Sequence, residues 1–250
     1  MFIRKICVLC FCLLYASFLS AFELDLPKFV DATKWDKVAA YLKHINRKPE
    51  DVSQLFLQGH DLKEIPSWVF EKVKNVQMIL LNKNAIVSIP AAIGELKKLK
   101  HFEARYNKII SVHADIQKAT ALEWVNFGNN KLPKIPEGVY HLPNLKTLFM
   151  NGNNIRNISS KIGFLQKLTS LDMWGNPLKH MPKEICQLKQ LRSLNLGKTN
   201  IVGLPKEIKA LKPSIQFISV KSTPHLAEHS AREFIGKSRI RKIFGDKAKF

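Results

Sequence analysis

Apolar residues recur along most of the chain with a period of about 23 residues. Segments aligned on their first apolar residue begin at Val52, Val76, Leu99, Leu122, Leu145, Leu168 and Leu191, and a partial eighth begins at Ile215. In the segment from Leu145 the later apolar positions are Leu148, Met150, Ile155, Ile158, Ile162 and Leu165. A fixed period of this length is typical of solenoids, in which each repeat contacts only its neighbours. The pattern therefore predicts one repeat domain over residues 52–222.

Each repeat predicts a short strand followed by a turn. Leu148 and Met150 are two residues apart, which is the period of a strand with one buried face. The ninth position of five repeats is an asparagine, and these residues are Asn84, Asn107, Asn130, Asn153 and Asn176. An asparagine amide can both donate to and accept from the backbone of neighbouring coils. One repeat buries too little apolar surface to offset the entropy of ordering its backbone, so we expect folding to depend on stacking.

The repeat LxxLxLxxNxLxxIPxxIxxL resembles the 23-residue class of the leucine-rich repeat family. The apolar-proline pair of that class stands at Ile65-Pro66, Ile89-Pro90, Ile135-Pro136, Met181-Pro182 and Leu204-Pro205. The resemblance implies an α/β solenoid, a curved horseshoe with a parallel β-sheet on its concave face. Four positions depart from the pattern and predict local irregularity: His113 and Ser159 in place of proline, His60 and Thr199 in place of asparagine.

The chain begins with the features of an export signal. Arg4 and Lys5 precede an uncharged apolar run from Ile6 to Phe22, and small residues follow near its end. This predicts a signal peptide over residues 1–21. A retained membrane anchor is the alternative, because a run of 17 residues is at the lower limit for a span. The predicted destination is the cell surface or the medium, with the periplasm as a further possibility.

Cysteine usage agrees with export from a bacterium. Three of the four cysteines lie in the leader, so Cys186 alone follows it and no intramolecular disulfide is expected. The cysteine-rich caps of eukaryotic extracellular members of the family are absent. The segment from Lys48 to Pro66 is similar to the start of the repeat domain in exported leucine-rich repeat proteins of pathogenic spirochaetes.

Residues 22–51 and 223–250 are predicted to cap the two ends of the solenoid. In the first segment Thr33 and Asp36 resemble a capping box, and an apolar stripe from Trp35 to Ile45 has helical spacing. In the second segment, apolar residues from Leu226 to Phe244 are followed by a basic tail.

The concave face is the first candidate binding surface. Side chains at the third, fifth and seventh positions of a repeat are expected to point out of the concave sheet, with the eighth at its edge. They include Phe56, Met78, Leu80, His101, Glu103, Arg105, Tyr106, Trp124, Asn126, Phe149, Asp172, Trp174 and Phe217. Trp124, Phe149 and Trp174 come from successive repeats and predict an aromatic stripe. Because aromatic anchors dominate binding sites, we expect a protein ligand here, with a host protein among the candidates. The alternative is contact with a flank, a cap or a second copy.

The second candidate surface is a basic rim, in a chain whose net charge is +20. Basic residues fall where one repeat turns into the next strand, at Lys97, Lys98, Lys100, Lys146, Lys167, Lys189, Arg192 and Lys212. Such a rim favours an anionic glycan or a membrane surface. A solvated edge that keeps the solenoid soluble is the competing interpretation. The export signal and the lack of a nucleic-acid module disfavour nucleic acid.

Catalytic patterns are weak, and we expect neither enzymatic activity nor a cofactor. His225, Glu228 and His229 match the HxxEH pattern of a zinc peptidase group, but that site needs a third ligand from a longer downstream segment. A metal-dependent hydrolase is therefore the third and weakest hypothesis. Cys186 has no neighbour in the sequence that indicates an activated thiolate.

Overall fold

The computed structural model describes residues 49–226 and 234–250. The strands are β1 (Gln54–Phe56), β2 (Met78–Leu80), β3 (Ser88–Ile89), β4 (His101–Glu103), β5 (Ser111–Val112), β6 (Trp124–Asn126), β7 (Thr147–Phe149), β8 (Ser170–Asp172), β9 (Ser193–Asn195), β10 (Leu204–Pro205), β11 (Phe217–Ser219), β12 (Phe234–Ile235) and β13 (Ala248–Lys249). The α-helices are α1 (Ser67–Lys72) and α2 (Lys237–Phe244). Short 3-10 helices span Pro49–Asp51, Ala91–Glu95, Ala114–Lys118, Glu137–His141, Ser160–Phe164, Lys183–Gln187, Lys206–Leu211 and Gly245–Lys247.

Two predicted segments lie wholly or largely outside the described residues: the leader over 1–21 and the N-terminal cap over 22–51. In the described part of the chain, every helix falls short of the length and hydropathy that a membrane span requires.

Nine strands of the described residues form one parallel sheet, in the order β1, β2, β4, β6, β7, β8, β9, β11 and β13. The first eight come from successive repeats, and their register places equal repeat positions side by side. Leu55 lies beside Ile79, and Val125 lies beside Leu148. The α/β solenoid with a parallel sheet is thus confirmed.

The core runs continuously under this sheet. Every residue that begins a repeat, from Val52 to Ile215, is buried. Leu148 and Met150, at the fourth and sixth positions, are fully inaccessible to solvent, as the two-residue alternation predicts. Because each coil covers the apolar side chains of the next, the burial that stabilises one repeat requires its neighbours.

A ladder of asparagines joins the coils. Asn130 is the example: its Nδ2 donates to the carbonyl oxygens of Phe127 and Ala104, both at 2.9 Å. Its Oδ1 accepts the N–H of Ile109 at 2.9 Å. Phe127 belongs to the same coil, whereas Ala104 and Ile109 belong to the preceding one. The corresponding bonds recur at Asn84, Asn107, Asn153 and Asn176.

The two departures from proline leave the local fold regular, so the prediction of irregularity is wrong at both. The N–H of His113 donates to the carbonyl oxygen of Ile89 at 3.0 Å, and its Nδ1 accepts the N–H of Asp115. The N–H of Ser159 donates to the hydroxyl of Tyr140 at 3.3 Å. Proline has no N–H and could make neither of these two backbone N–H bonds. The 3-10 helices that follow have five residues each, as do those that follow Pro90, Pro136 and Pro182.

The C-terminal residues close the far end of the solenoid. Ile240 and Phe244 of α2 are buried and extend the core. The last strand, β13, then pairs with β11, placing Ala248 beside Ile218. Part of the predicted basic tail is therefore the ninth strand of the concave sheet.

Candidate functional site

The sheet register sets which concave side chains are neighbours. At the third position of the repeat, Trp124 lies beside His101. At the fifth position, Phe149 lies between Asn126 and Asp172. Because the strands are parallel and unshifted, residues that were distant in sequence form rows across the face.

Three rings are in contact near the middle of the sheet, and we call them the central cluster: His101, Trp124 and Phe149. The rings of His101 and Trp124 are stacked, with centroids 5.3 Å apart and planes 12° apart. Phe149 meets Trp124 edge to face at 5.1 Å. The Nε1 of Trp124 is buried and has no hydrogen-bond partner within the described residues. The cluster is a preformed aromatic platform, each ring being fixed by its neighbour.

Trp174, the third member of the predicted stripe, belongs to a different local arrangement. It lies at the seventh position of its repeat, two residues beyond the row of Phe149. The Nζ of Lys198 stands 4.8 Å from the centroid of its ring, which is cation–π geometry. A Cβ on Gly197 would lie 2.8 Å from Cδ1 of Trp174, so glycine at this position lets the ring approach the backbone. Neither Gly197 nor Lys198 was among the predicted site residues. Gly197 nevertheless occupies the same position of the next repeat as Trp174, and Lys198 directly follows it.

The carboxylate of Glu103 is held in place by hydrogen bonds beside the central cluster. Its Oε2 accepts the amide of Asn82 at 2.8 Å, and its Oε1 lies 2.9 Å from Nε2 of His101. Partial burial raises the pKa of Glu103, but these two hydrogen bonds and the charges of His101 and Arg105 outweigh it, so the net pKa lies below the ordinary value. Glu103 is therefore ionised at neutral pH and holds His101 against Trp124.

Asp172 shows the opposite shift. Burial raises its pKa above the ordinary value, and hydrogen bonds from the N–H of Trp174 and the side chain of Asn195 only partly offset this effect. The N–H of Trp174 donates to Oδ1 of Asp172 at 2.9 Å. The carboxyl group thus orients the start of the turn that carries Trp174.

Arg105 and Tyr106 stand at the edge of the concave face. The guanidinium carbon of Arg105 lies 4.8 Å from the centroid of the Tyr106 ring. Tyr106 is 45% exposed and adopts a positive φ of 56°, which turns the chain at the end of the strand.

The prediction that Asn126 points into the open face is wrong. Only 6% of this residue is exposed. Its Oδ1 accepts the N–H of Gly128 at 2.9 Å, and in the sheet the residue lies between Glu103 and Phe149. The amide turns back to its own backbone, since this bond satisfies a buried N–H.

The remaining predicted concave residues lie toward the two ends of the sheet. Phe56 is 36% exposed and pairs in register with Leu80, while Met78 and Leu80 are half-buried. Phe217 is 37% exposed on β11. These residues border the site without entering the central cluster.

The predicted basic rim is exposed, but several of its charges already have partners. Lys146 pairs with Glu123 at 2.7 Å. Lys98 and Lys167 donate to the side-chain oxygens of Asn75 and Asn144. Lys97 and Lys189 donate to backbone carbonyl oxygens. Lys100, Arg192 and Lys212 complete the rim. Surface pairs of this kind contribute little stability.

Within residues 49–226 and 234–250, no group of three or more His, Cys, Asp and Glu side chains is arranged to bind a metal ion. Of the HxxEH residues, Glu228 and His229 lie outside the described residues. Cys186 is buried, and burial raises the pKa of its thiol to about 12, so it is a neutral thiol at physiological pH.

Comparisons with known proteins agree with the architecture. A family model described as leucine rich repeats (2 copies) matches residues 143–185, and no curated protein sequence matches the chain. A solved leucine-rich repeat protein of Leptospira interrogans is similar over 72% of this chain and 69% of its own, with 21% identity and a TM-score of 0.46. An internalin of Listeria monocytogenes is similar over 77% of this chain, with 20% identity and a TM-score of 0.66. The match spans 56% of the internalin's length. The repeats, the parallel sheet, the match of the family model and the similarity to the internalin together show that the chain has the leucine-rich repeat fold.

Proposed function

We propose that the protein is a non-enzymatic binding module that holds a protein ligand on its concave face. The observation that carries the proposal is the central cluster: three contacting rings displayed by adjacent strands of one sheet. Aromatic side chains provide large contact area with few rotatable bonds, and they dominate the energetics of protein interfaces.

The rigidity of the surface supports this role. The strands that carry the cluster are paired on both sides, and the asparagine ladder ties their coils together. Little backbone ordering is then required on binding, so more of the contact energy becomes affinity.

The polar groups around the cluster favour a specific ligand. Glu103 and Asp172 lie on either side of it, in a chain of net charge +20. The concave face therefore carries carboxyl groups beside the rings, whereas the rim carries basic side chains. A ligand surface that combines an apolar patch with a basic side chain would satisfy both the rings and these carboxylates.

The compartment is part of the proposal. The predicted leader over residues 1–21 and the similarity of the repeats to the 23-residue class of exported spirochaete proteins favour export from a bacterium. A ligand on a host cell or in its matrix fits a protein at the cell surface or in the medium.

The test is a pull-down from host-cell and matrix extracts, followed by titration of each recovered protein in purified form. The Trp124→Ala/Trp174→Ala double variant is compared with Phe164→Ala, because Phe164 is 61% exposed on a 3-10 helix away from the concave sheet. We expect the double variant to lose binding at both low and high salt, and Phe164→Ala to retain it. Equal loss of binding in both variants would exclude the concave face as the binding site. Binding that is unchanged in the double variant but lost at high salt would exclude it too.

A further inference from the structure

A groove opens in the basic rim where the last two full repeats and the partial repeat begin. It has a volume of about 390 Å³ and is lined by Thr169, Lys189, Gln190, Arg192, Pro213, Ser214 and Gln216. The interval from Leu191 to Ile215 is 24 residues, one longer than the five intervals of 23 between Val76 and Leu191. The 3-10 helix of this repeat, Lys206–Leu211, is likewise one residue longer than the five-residue helices before it. Pro213 and Ser214, which line the groove, lie at the end of this longer repeat.

The groove is positively charged, and its walls hold no carboxylate. The Nζ of Lys189 donates to the carbonyl oxygen of Cys186 at 3.0 Å, which anchors the ammonium group at the groove. Arg192 is exposed, and its guanidinium forms no ion pair within the described residues. Lys146 occupies the same repeat position two coils earlier, but there Glu123 neutralises it at 2.7 Å. The charge of the groove is therefore available to a ligand.

The neutral lining is rich in hydrogen-bonding groups. The hydroxyls of Thr169 and Ser214 donate to backbone carbonyl oxygens, which leaves their oxygens able to accept. Gln190 and Gln216 each bring an amide that can both donate and accept. Pro213 is the one apolar side chain of this lining, so the groove offers no surface for insertion into a lipid layer.

We propose that this groove binds the sulfate or carboxylate group of an acidic saccharide, with Arg192 and Lys189 on the anion and the hydroxyls and amides on neighbouring sugar hydroxyls. A guanidinium makes paired, charge-assisted hydrogen bonds to such anions. The site lies at the strand-start rim and is independent of the concave face, so the two sites are tested separately.

The test is calorimetric titration of the protein with a sulfated heparin tetrasaccharide and with a carboxylated, unsulfated uronic-acid tetrasaccharide. Inorganic sulfate and phosphatidylglycerol vesicles form the other arms. The key variant is Arg192→Gln, and the matched control is Lys100→Gln, which removes one exposed charge from the same repeat position four coils away. We expect Arg192→Gln to weaken tetrasaccharide binding about tenfold, the loss that one charge-assisted hydrogen-bond pair predicts, and Lys100→Gln to weaken it less than about twofold. Lys189→Gln should resemble Arg192→Gln.

Three results would overturn the proposal. Equal weakening by Arg192→Gln and Lys100→Gln would mean that the rim acts only as a diffuse charge. Vesicle binding that depends on Arg192, without binding of either tetrasaccharide, would identify a membrane contact instead. Inorganic sulfate that binds as tightly as the tetrasaccharides would show that the groove recognises the ion and not a sugar. Tetrasaccharide binding that resists the Trp124→Ala/Trp174→Ala substitutions would support the groove even if the concave face binds no protein.

Discussion

The coils that carry Asn84 to Asn176 and the coils that carry Thr199 and Thr223 use the same repeat position in different ways. Each asparagine bonds to its own coil and to the preceding one, as Asn153 does with Met150 on one side and Phe127 and Leu132 on the other. Thr199 and Thr223 are buried but donate only to a carbonyl oxygen three residues earlier. We refer to these regions as the Asn coils and the Thr coils.

The difference shows that apolar packing and polar bridging are separable in a solenoid. Leu194 and Leu196 of the Thr coils are as fully buried as Leu148 and Met150 of the Asn coils. The Thr coils therefore keep the shared core but lose the side-chain bonds between coils. They are instead closed by α2 and by β13, which pairs with β11. We expect the Asn coils to be the more cooperative region, because their interfaces contain both contributions.

The largest expected effect comes from removing one rung of the ladder. Asn130→Ala leaves the buried N–H of Ile109 without its acceptor and removes one of the two asparagine donors from each of the Phe127 and Ala104 carbonyl oxygens, so we expect the free energy of unfolding to fall by about 2 to 4 kcal/mol. Thr199→Ala removes a single bond and should lower it by about 1 kcal/mol. Urea unfolding followed by far-UV circular dichroism measures both. Equal losses would contradict the distinction between the two regions.

The opposite substitution should extend the ladder. Thr199→Asn places an amide where it can reach the carbonyl oxygen of Met173 and the N–H of Leu178, by analogy with the bonds of Asn176. We expect the free energy of unfolding to rise by about 1 to 2 kcal/mol. Hydrogen exchange should also slow at the Leu178 amide in this variant. Unchanged exchange there would mean that the coil cannot accept the larger side chain.

The smallest effect concerns two carboxyl groups of the concave face. Glu103, in the Asn coils, should titrate below its ordinary pKa of 4.5, and Asp172, beside Trp174, should titrate above its ordinary pKa of 3.8. The lowered pKa of Glu103 contributes stability that is present above the unfolded-state pKa and lost as pH falls through the folded-state value. The raised pKa of Asp172 contributes stability that is present at low pH and lost as pH rises through the folded-state value. Carbon-detected NMR of the side-chain carboxyl groups resolves the two titrations.

Much of the concave face follows from the sequence period alone. Trp124 and Phe149 stand at the third and fifth positions of successive repeats, so their proximity is predicted once the strands are aligned without a shift. The contact between Trp174 and Lys198 follows the same register, but a pattern of large rings does not select a lysine at the eighth position. Asn126 illustrates the limit of prediction from the repeat, because its position is at least partly exposed in six other coils, from Phe56 to Asn195, whereas Asn126 is only 6% exposed. Its bond to the N–H two residues later does not explain this difference, since Asp172 and Asn195 make the same bond.

The sequence by itself determined the repeat, the strand positions and the buried faces, since each copy encodes the same local alternation and the same turn. Only the tertiary structure decided that β13 completes the sheet, that Asn126 is covered and that a groove opens beside Arg192. The physical reason is that local periodicity fixes a coil, whereas exposure and free charge depend on the neighbouring coils. A two-residue strand has too short a pattern to predict its partner strand, and the residues that line a groove come from different coils, so only the stacked structure brings them together.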